Sequence, residues 1–295
     1  MRANLTRRLG IPAEFDLSKH KFVYPRRVKV NGEFWEKTVA DKSPDKPGIW
    51  RSCMFAPSYK DHEGKDESVP DFKRLGLEGR AYYGFRDFRM TSPTGVNFGE
   101  NVRPDITVIP ARMFGMEFAR TEGHEHLSGL PEIYENILGN VGFLLFKPSK
   151  KNPARIKDAM LVVSEPGDHV LFPPGYAHIT INLGKMPAIV TDLVSTEAKP
   201  GFEEIRKRSG GSHYITLGKE GSWFEVQGNA NYEEIPELRI VRPASEIILP
   251  TGIMLRKGEP MFKIHSKGKV GPFMFLNDKD QGKYGQMYNR AFRSL

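Results

Sequence analysis

From about residue 81 this chain is cut into short pieces by residues that break regular structure. Gly139-Asn140, a proline-bounded stretch at 148–153, Glu165-Pro166-Gly167, Pro173-Pro174-Gly175 and Gly184-Lys185 separate apolar or alternating runs. The runs fall at 81–88, 105–110, 113–120, 132–138, 141–147, 159–163, 169–173, 178–183 and 187–194. Pieces of this length, bounded by turn residues, are strands of a packed antiparallel sheet, and their spacing is that of an all-β barrel. Gly and Pro supply 29 and 22 of 295 residues, above the usual combined share of roughly 12%, as frequent turning requires. One short surface helix is predicted at 200–208. Strand texture returns at 223–265, with apolar runs at 246–250 and 253–255, and the C-terminal end reads as irregular. The polar stretch at 56–80 reads as a long loop with some helix. The chain thus divides into an N-terminal extension at 1–80, packing on or swapping with the barrel, the barrel at 81–225, and a β-rich C-terminal extension at 226–295.

Composition narrows the partners. Cys53 is the only cysteine, which excludes an internal disulfide and a cysteine-built zinc site and makes a reducing cytoplasm the expected location. The N-terminus lacks an apolar signal core, and no stretch reaches the ~20 apolar residues of a membrane span, so no membrane partner is expected. A net charge of +8 fits an anionic partner without choosing between a polymer and a small phosphate. The basic pairs Arg7-Arg8, Arg26-Arg27 and Lys150-Lys151 are isolated, which argues against nucleic acid. The basic stretches at 147–157 and 199–208 read as solvated loops before they read as steering groups.

The chemistry concentrates in two segments. In the first, Thr121-Glu-Gly-His124-Glu-His126 is followed by Glu132-Ile-Tyr134. Histidines at i and i+2 share one face of a strand, whereas on a helix they diverge by about 200°. A break at 129–131 starts a second strand with Glu132 and Tyr134 again on one face, so a hairpin brings that carboxylate beside the imidazoles. The second segment, Gly167 to Asn182, adds His178 after the Pro173-Pro174-Gly175 turn. Three imidazole nitrogens and one carboxylate oxygen suit a divalent first-row metal with open positions; iron, manganese, nickel and zinc all qualify. A lone His-x-His is more often two hydrogen-bonded histidines than a site, but the joint pattern is hard to reach by chance. His20, His62 and His265 read as solvated, and His169, of opposite parity to the inward set, as structural.

Together the two segments resemble the two cupin motifs. Glu132 is followed by six residues and Gly139, and Gly167, Pro173, Gly175, His178 and Asn182 fill every fixed position of the second motif. The resemblance implies a double-stranded β-helix whose mouth holds the metal. The wording is closer still to the cupin-type phosphoglucose isomerases of archaea, through Thr121, Gly123, His124, His126, Glu132 and Tyr134, then Pro166, Gly167, Pro173, Pro174, Tyr176, Ala177, His178, Thr180, Asn182 and Gly184. This likeness runs over roughly 81–225. It implies metal ligation by His124, His126, Glu132 and His178, with Fe2+ the first choice. It places phosphate contacts at Thr107, Thr121 and the backbone of Gly123, and sugar contacts at Tyr134 and one of Tyr82 and Tyr83, taken as Tyr83. Gly211-Ser-His213-Tyr214-Ile-Thr resembles a further family segment, which adds Tyr214 and, displaced by one, His213. It also implies a homodimer formed partly through N-terminal strands.

Three departures bear on substrate choice. The gap from His126 to Glu132 is one residue shorter than the family's, 197–210 looks like an insertion, and the chain is longer than the compact members. The expected reaction is interconversion of glucose 6-phosphate and fructose 6-phosphate, with a different phosphosugar left open. Two routes fit: proton transfer through an enediol with Glu132 as base, or a metal-assisted hydride shift that needs none. Tyr134 then serves as an acid or orients the sugar. The alternatives are a cupin oxygenase, which leaves the phosphate-type contacts without a purpose, and a sugar-binding, storage or regulatory cupin, which leaves four convergent ligands without one.

Overall fold

A computed structural model describes residues 2–9, 14–16, 82–84, 98–113, 116–219, 222–264 and 271–295, and the backbone alone of 21–23, 27–30, 33–37, 45–48, 85, 90–91 and 114. His20, Cys53, His62 and His265 lie outside the described residues. The barrel strands are β1 (Tyr82–Phe85), β2 (Val102–Ile109), β3 (Glu125–His126), β4 (Glu132–Leu138), β5 (Val141–Pro148), β6 (Ile156–Ser164), β7 (His169–Phe172), β8 (Ala177–Asn182), β9 (Ala188–Ser195) and β10 (Pro200–Gly201). One sheet runs β7-β4-β9-β2-β1 with Asp45–Gly48 at its edge. The other runs β8-β5-β6 and continues into Arg239–Pro243 and Phe292–Ser294. From β4 to β9 the chain passes back and forth between the two sheets, which is the winding of a cupin double-stranded β-helix.

The strands carry long apolar runs because both faces of both sheets are covered. Phe143, Leu145, Val162, Val170, Phe172 and Val190 fill the space between the sheets. On the outer face of the first sheet, Ile106, Ile133, Leu171 and Leu193 pack with Leu5, Leu9 and Phe15 from the N-terminus and Phe262, Phe273 and Leu276 from the C-terminus. On the outer face of the second, Leu144, Phe146, Leu161 and Ile179 meet Ile205, Ile215 and Tyr232. Each fully buried Leu, Ile or Phe contributes about 1.5–3 kcal/mol of transfer free energy, so segments flanking the barrel stabilise faces that would otherwise meet water.

Three local expectations need correction. The run at 113–120 is not one strand, because Met113–Phe114 and Glu117–Phe118 fold back and pair with each other. The helix expected at 200–208 is only Glu203–Lys207; Pro200 and Gly201 are poor helix formers and form β10, antiparallel to β3. The C-terminal end contains 3-10 turns at Met261–Lys263, Met274–Asn277 and Gln281–Tyr284, then the helix Gly285–Asn289. Among the described residues no helix is long and apolar enough to cross a membrane.

Candidate metal centre and substrate cavity

The two histidine segments meet through their backbones. The His124 N–H donates to the His178 carbonyl at 3.1 Å, and the His178 N–H returns a bond to the His124 carbonyl at 2.9 Å. Gly123 makes this approach possible: its φ is +81°, and a Cβ there would lie 2.3 Å from Ile179 Cγ1 and 2.8 Å from the His178 oxygen. Glu132 opens β4 with its side chain inward, two residues before Tyr134. One ligand atom each from His124, His126, Glu132 and His178 lies within 4.8 Å of all the others. Glu132 Oε2 is 3.3 Å from His178 Nε2 and 3.5 Å from His126 Nε2. His126 Nδ1 is hydrogen-bonded to the Leu130 carbonyl at 2.9 Å, which fixes the ring and leaves Nε2 to the cluster. Burial, joined by the Arg103 guanidinium, holds the His126 pKa below its usual value and so favours the neutral, ligating form. The donor set and its spacing fit a divalent first-row ion.

A cavity of about 100 Å³ opens from this cluster. Thr107, Thr121, Gly123, Thr180, Tyr82 and Tyr134 line it. Thr121 is tied to β8 from both sides: its N–H donates to the Thr180 carbonyl at 2.9 Å, and its hydroxyl accepts the Thr180 N–H at 3.0 Å. Beneath it the buried Arg120 bonds Glu117 at 2.5 Å and the Thr121 carbonyl at 3.2 Å. Tyr134 is stacked on Phe172, centroids 4.5 Å apart.

Other expected residues fall elsewhere. Tyr82, not Tyr83, lines the cavity; Tyr83 sits opposite Val108 and packs on the outer core, because neighbouring residues of a strand face opposite ways. His213 and Tyr214 belong to a strand, His213–Leu217, of a separate four-stranded sheet. Tyr214 is buried and donates its hydroxyl to Ser209 O at 3.0 Å, His213 contacts the Ser212 hydroxyl, and neither lines the cavity. His169 is buried on the outer face, where burial lowers its pKa to about 4.

Several cavity residues carry no motif. Phe202, just past β10, sits beside the histidine cluster with its ring 5.6 Å from that of His124, and Arg206 lies 4.8 Å from the Phe202 centroid while bonding Glu122. Arg103 and Asp105 project from β2. Alternation back from Thr107 is the sequence signal that points to them.

A two-sheeted cupin barrel with three imidazoles and a carboxylate gathered in one cavity defines a cupin equipped to hold an ion. Residues 65–234, more than half of the chain, match the family model described as glucose-6-phosphate isomerase, and the chain belongs to that family. It is 33% identical over 128 residues to a glucose-6-phosphate isomerase of Thermococcus onnurineus, covering 43% of this chain and 62% of the relative. To that of Pyrococcus furiosus it is 32% identical over 103 residues, covering 35% and 51%. The chain therefore spans roughly half to under two thirds of the curated relatives' length. Similar solved structures include an oxalate oxidase with glycolate, at TM-score 0.27 and 18% identity, covering 35% of this chain and 46% of that one.

Proposed function

We propose that this protein is an aldose-ketose isomerase that interconverts glucose 6-phosphate and fructose 6-phosphate, or a closely related phosphosugar pair, in a metal-dependent reaction. The observation that carries the reading is the combination, within one cavity, of three imidazoles and a carboxylate with a set of threonine hydroxyls beside a glycine backbone. His124, His126, Glu132 and His178 hold the ion, with Fe2+ the first choice and Mn2+, Ni2+ and Zn2+ also compatible with the donors. When bound, a divalent ion supplies Lewis acidity to the oxygens at C1 and C2.

The chain's own groups do the rest. Thr107 and Thr121 hydroxyls and the Gly123 N–H hold the phosphate dianion through short donors, with no nucleotide-type loop. Tyr134, fixed against Phe172, orients the open-chain sugar, with Tyr82 taking the role expected of Tyr83. On the enediol route the buried Glu132 carboxylate removes the proton from one carbon and returns it to the other. On the hydride route Glu132 only ligates. The same reading makes the enzyme a cytoplasmic homodimer with the barrel at 81–225 between two extensions.

Purified protein assayed with fructose 6-phosphate, with and without chelator, tests the reaction. Turnover that chelation abolishes is expected; oxygen consumption, or binding without turnover, would replace the reading with an oxygenase or a sugar-binding cupin. Deuterium from solvent appearing at C1 or C2 of the product assigns the enediol route.

A further inference from the structure

β2 carries two charged side chains into the cavity, Arg103 and Asp105, on the same face as Thr107. The register fixes their level. Glu132 lies opposite Val194 of β9, which lies opposite Arg103; Tyr134 lies opposite Asp192, which lies opposite Asp105. Arg103 is therefore two strands from Glu132 in the same cross-strand row, roughly 10 Å at Cα, at the end of the cavity that holds the imidazoles and the carboxylate. Thr107, which we take as a phosphate contact, is four residues further along β2.

The pair has an anchor and an open end. Asp105 Oδ2 takes both Arg103 Nε, at 3.1 Å, and Nη2, at 2.9 Å. The Asp105 side chain is 1% exposed and that of Arg103 33%. A guanidinium has five N–H donors in a rigid fork; two are spent on Asp105, and the remainder belong to a side chain that lines the cavity. Burying the Asp105 carboxylate costs desolvation that an apolar side chain would not, and what it holds is a partly exposed guanidinium facing the cavity, a placement that suits an anionic ligand.

We propose that Arg103, aimed by Asp105, is an anion-binding group at the reacting end of the cavity, recognising the oxygens at C1 and C2 of an open-chain phosphosugar as they acquire negative charge. The inference rests on the isomerase reading and gives the cavity anion recognition at both ends, threonines for the phosphate and Arg103 for the sugar oxygens. The ligand class that engages both ends is a phosphorylated aldonic acid, whose carboxylate stands in for the charged C1 and C2 oxygens. Asp105 is the positioning residue.

Calorimetric titration of the full-length, metal-loaded protein with a five-carbon aldonic acid 5-phosphate and with the matching alditol 5-phosphate, alongside metal content and isomerase assays, tests this. Arg103→Gln is expected to weaken the acid by about tenfold or more, to leave the alditol phosphate and metal content unchanged, and to lower kcat. Asp105→Asn is expected to show a smaller loss of the same selectivity. Should Arg103→Gln fail to fold, Arg103→Lys, which keeps the charge but loses the fork, is expected to lose acid affinity a few-fold. Undiminished acid binding in a folded Arg103 variant overturns the inference while wild-type turnover leaves the isomerase reading standing. Wild-type protein that neither isomerises nor binds either phosphate removes both.

Discussion

Strand β4 buries a carboxylate on each of its faces, and the two have opposite surroundings. Glu132 points into the barrel among His126, His178 and His124. Glu135, three residues on and equally buried, points outward into the apolar layer beneath the C-terminal segment and accepts the Met261 N–H at 2.8 Å. Burial pushes the Glu135 pKa up to about 8, so at neutral pH it is largely a neutral acid that fastens that segment to the sheet. Opposite it on β7 stands His169, kept neutral by burial in the same layer. Depth alone therefore does not mark a functional acid. The difference lies in what converges on it: imidazoles with directed lone pairs in one case, a single backbone amide in the other.

Exchanging the two acids for amides should separate them most widely. Glu132→Gln is expected to lower kcat/KM by about 10²–10⁴-fold and to reduce bound metal, whereas Glu135→Gln should leave both within a few-fold; steady-state kinetics and metal content check this. The outward acid should instead show itself in the pH dependence of stability. Its folded-state pKa is raised, so the folded state holds a proton that the unfolded chain releases. The stability linked to Glu135 is complete below its ordinary value of 4.5 and is lost as pH rises through about 8. Thermal melts from roughly pH 6 to 9 should show a drop of several degrees that Glu135→Gln flattens. His169 has the reverse sign: its contribution is present above 6.5 and is lost as pH falls through about 4.

Smaller effects should follow the same inward and outward division. Tyr82→Phe is expected to raise KM by about three- to tenfold, the loss of one hydrogen bond, while Tyr83→Phe leaves KM unchanged. Phe202→Ala, which opens the cavity beside His124, should raise KM by about twofold to fivefold with metal content unchanged. Equal effects at Tyr82 and Tyr83 would undo the facing of β1.

The choice of the four candidate ligands is legible in the sequence because its signals are local, parity in His124-x-His126 and a Pro-Gly turn before His178; the hairpin expected to bring Glu132 beside the imidazoles does not form, since β3 pairs with β10 while β4 pairs with β7 and β9. Tyr82 and Tyr83 cannot be separated that way, since adjacent tyrosines carry no parity of their own and only the pairing of β1 with β2 decides which faces inward. Arg103 escapes the pattern because the strand containing it begins earlier than its apolar run, at Val102 with Pro104 inside it. The segment at 200–208 misleads because the acidic and basic residues of Glu203–Lys207 look like a surface helix, while Pro200 and Gly201 gain their strand character only by pairing with β3. Tyr214 and His213 rest on motif likeness alone, and their strand joins a different sheet.

Metal content and isomerase activity should be followed in one preparation through chelation and re-addition of a divalent ion, for the wild type and for His178→Ala. One ion per chain, turnover that disappears and returns in step with it, and a His178→Ala protein that retains neither is the expected result. Full conversion of fructose 6-phosphate by metal-free protein, or tight retention of the ion without His178, would contradict the assignment of these four side chains to a common centre.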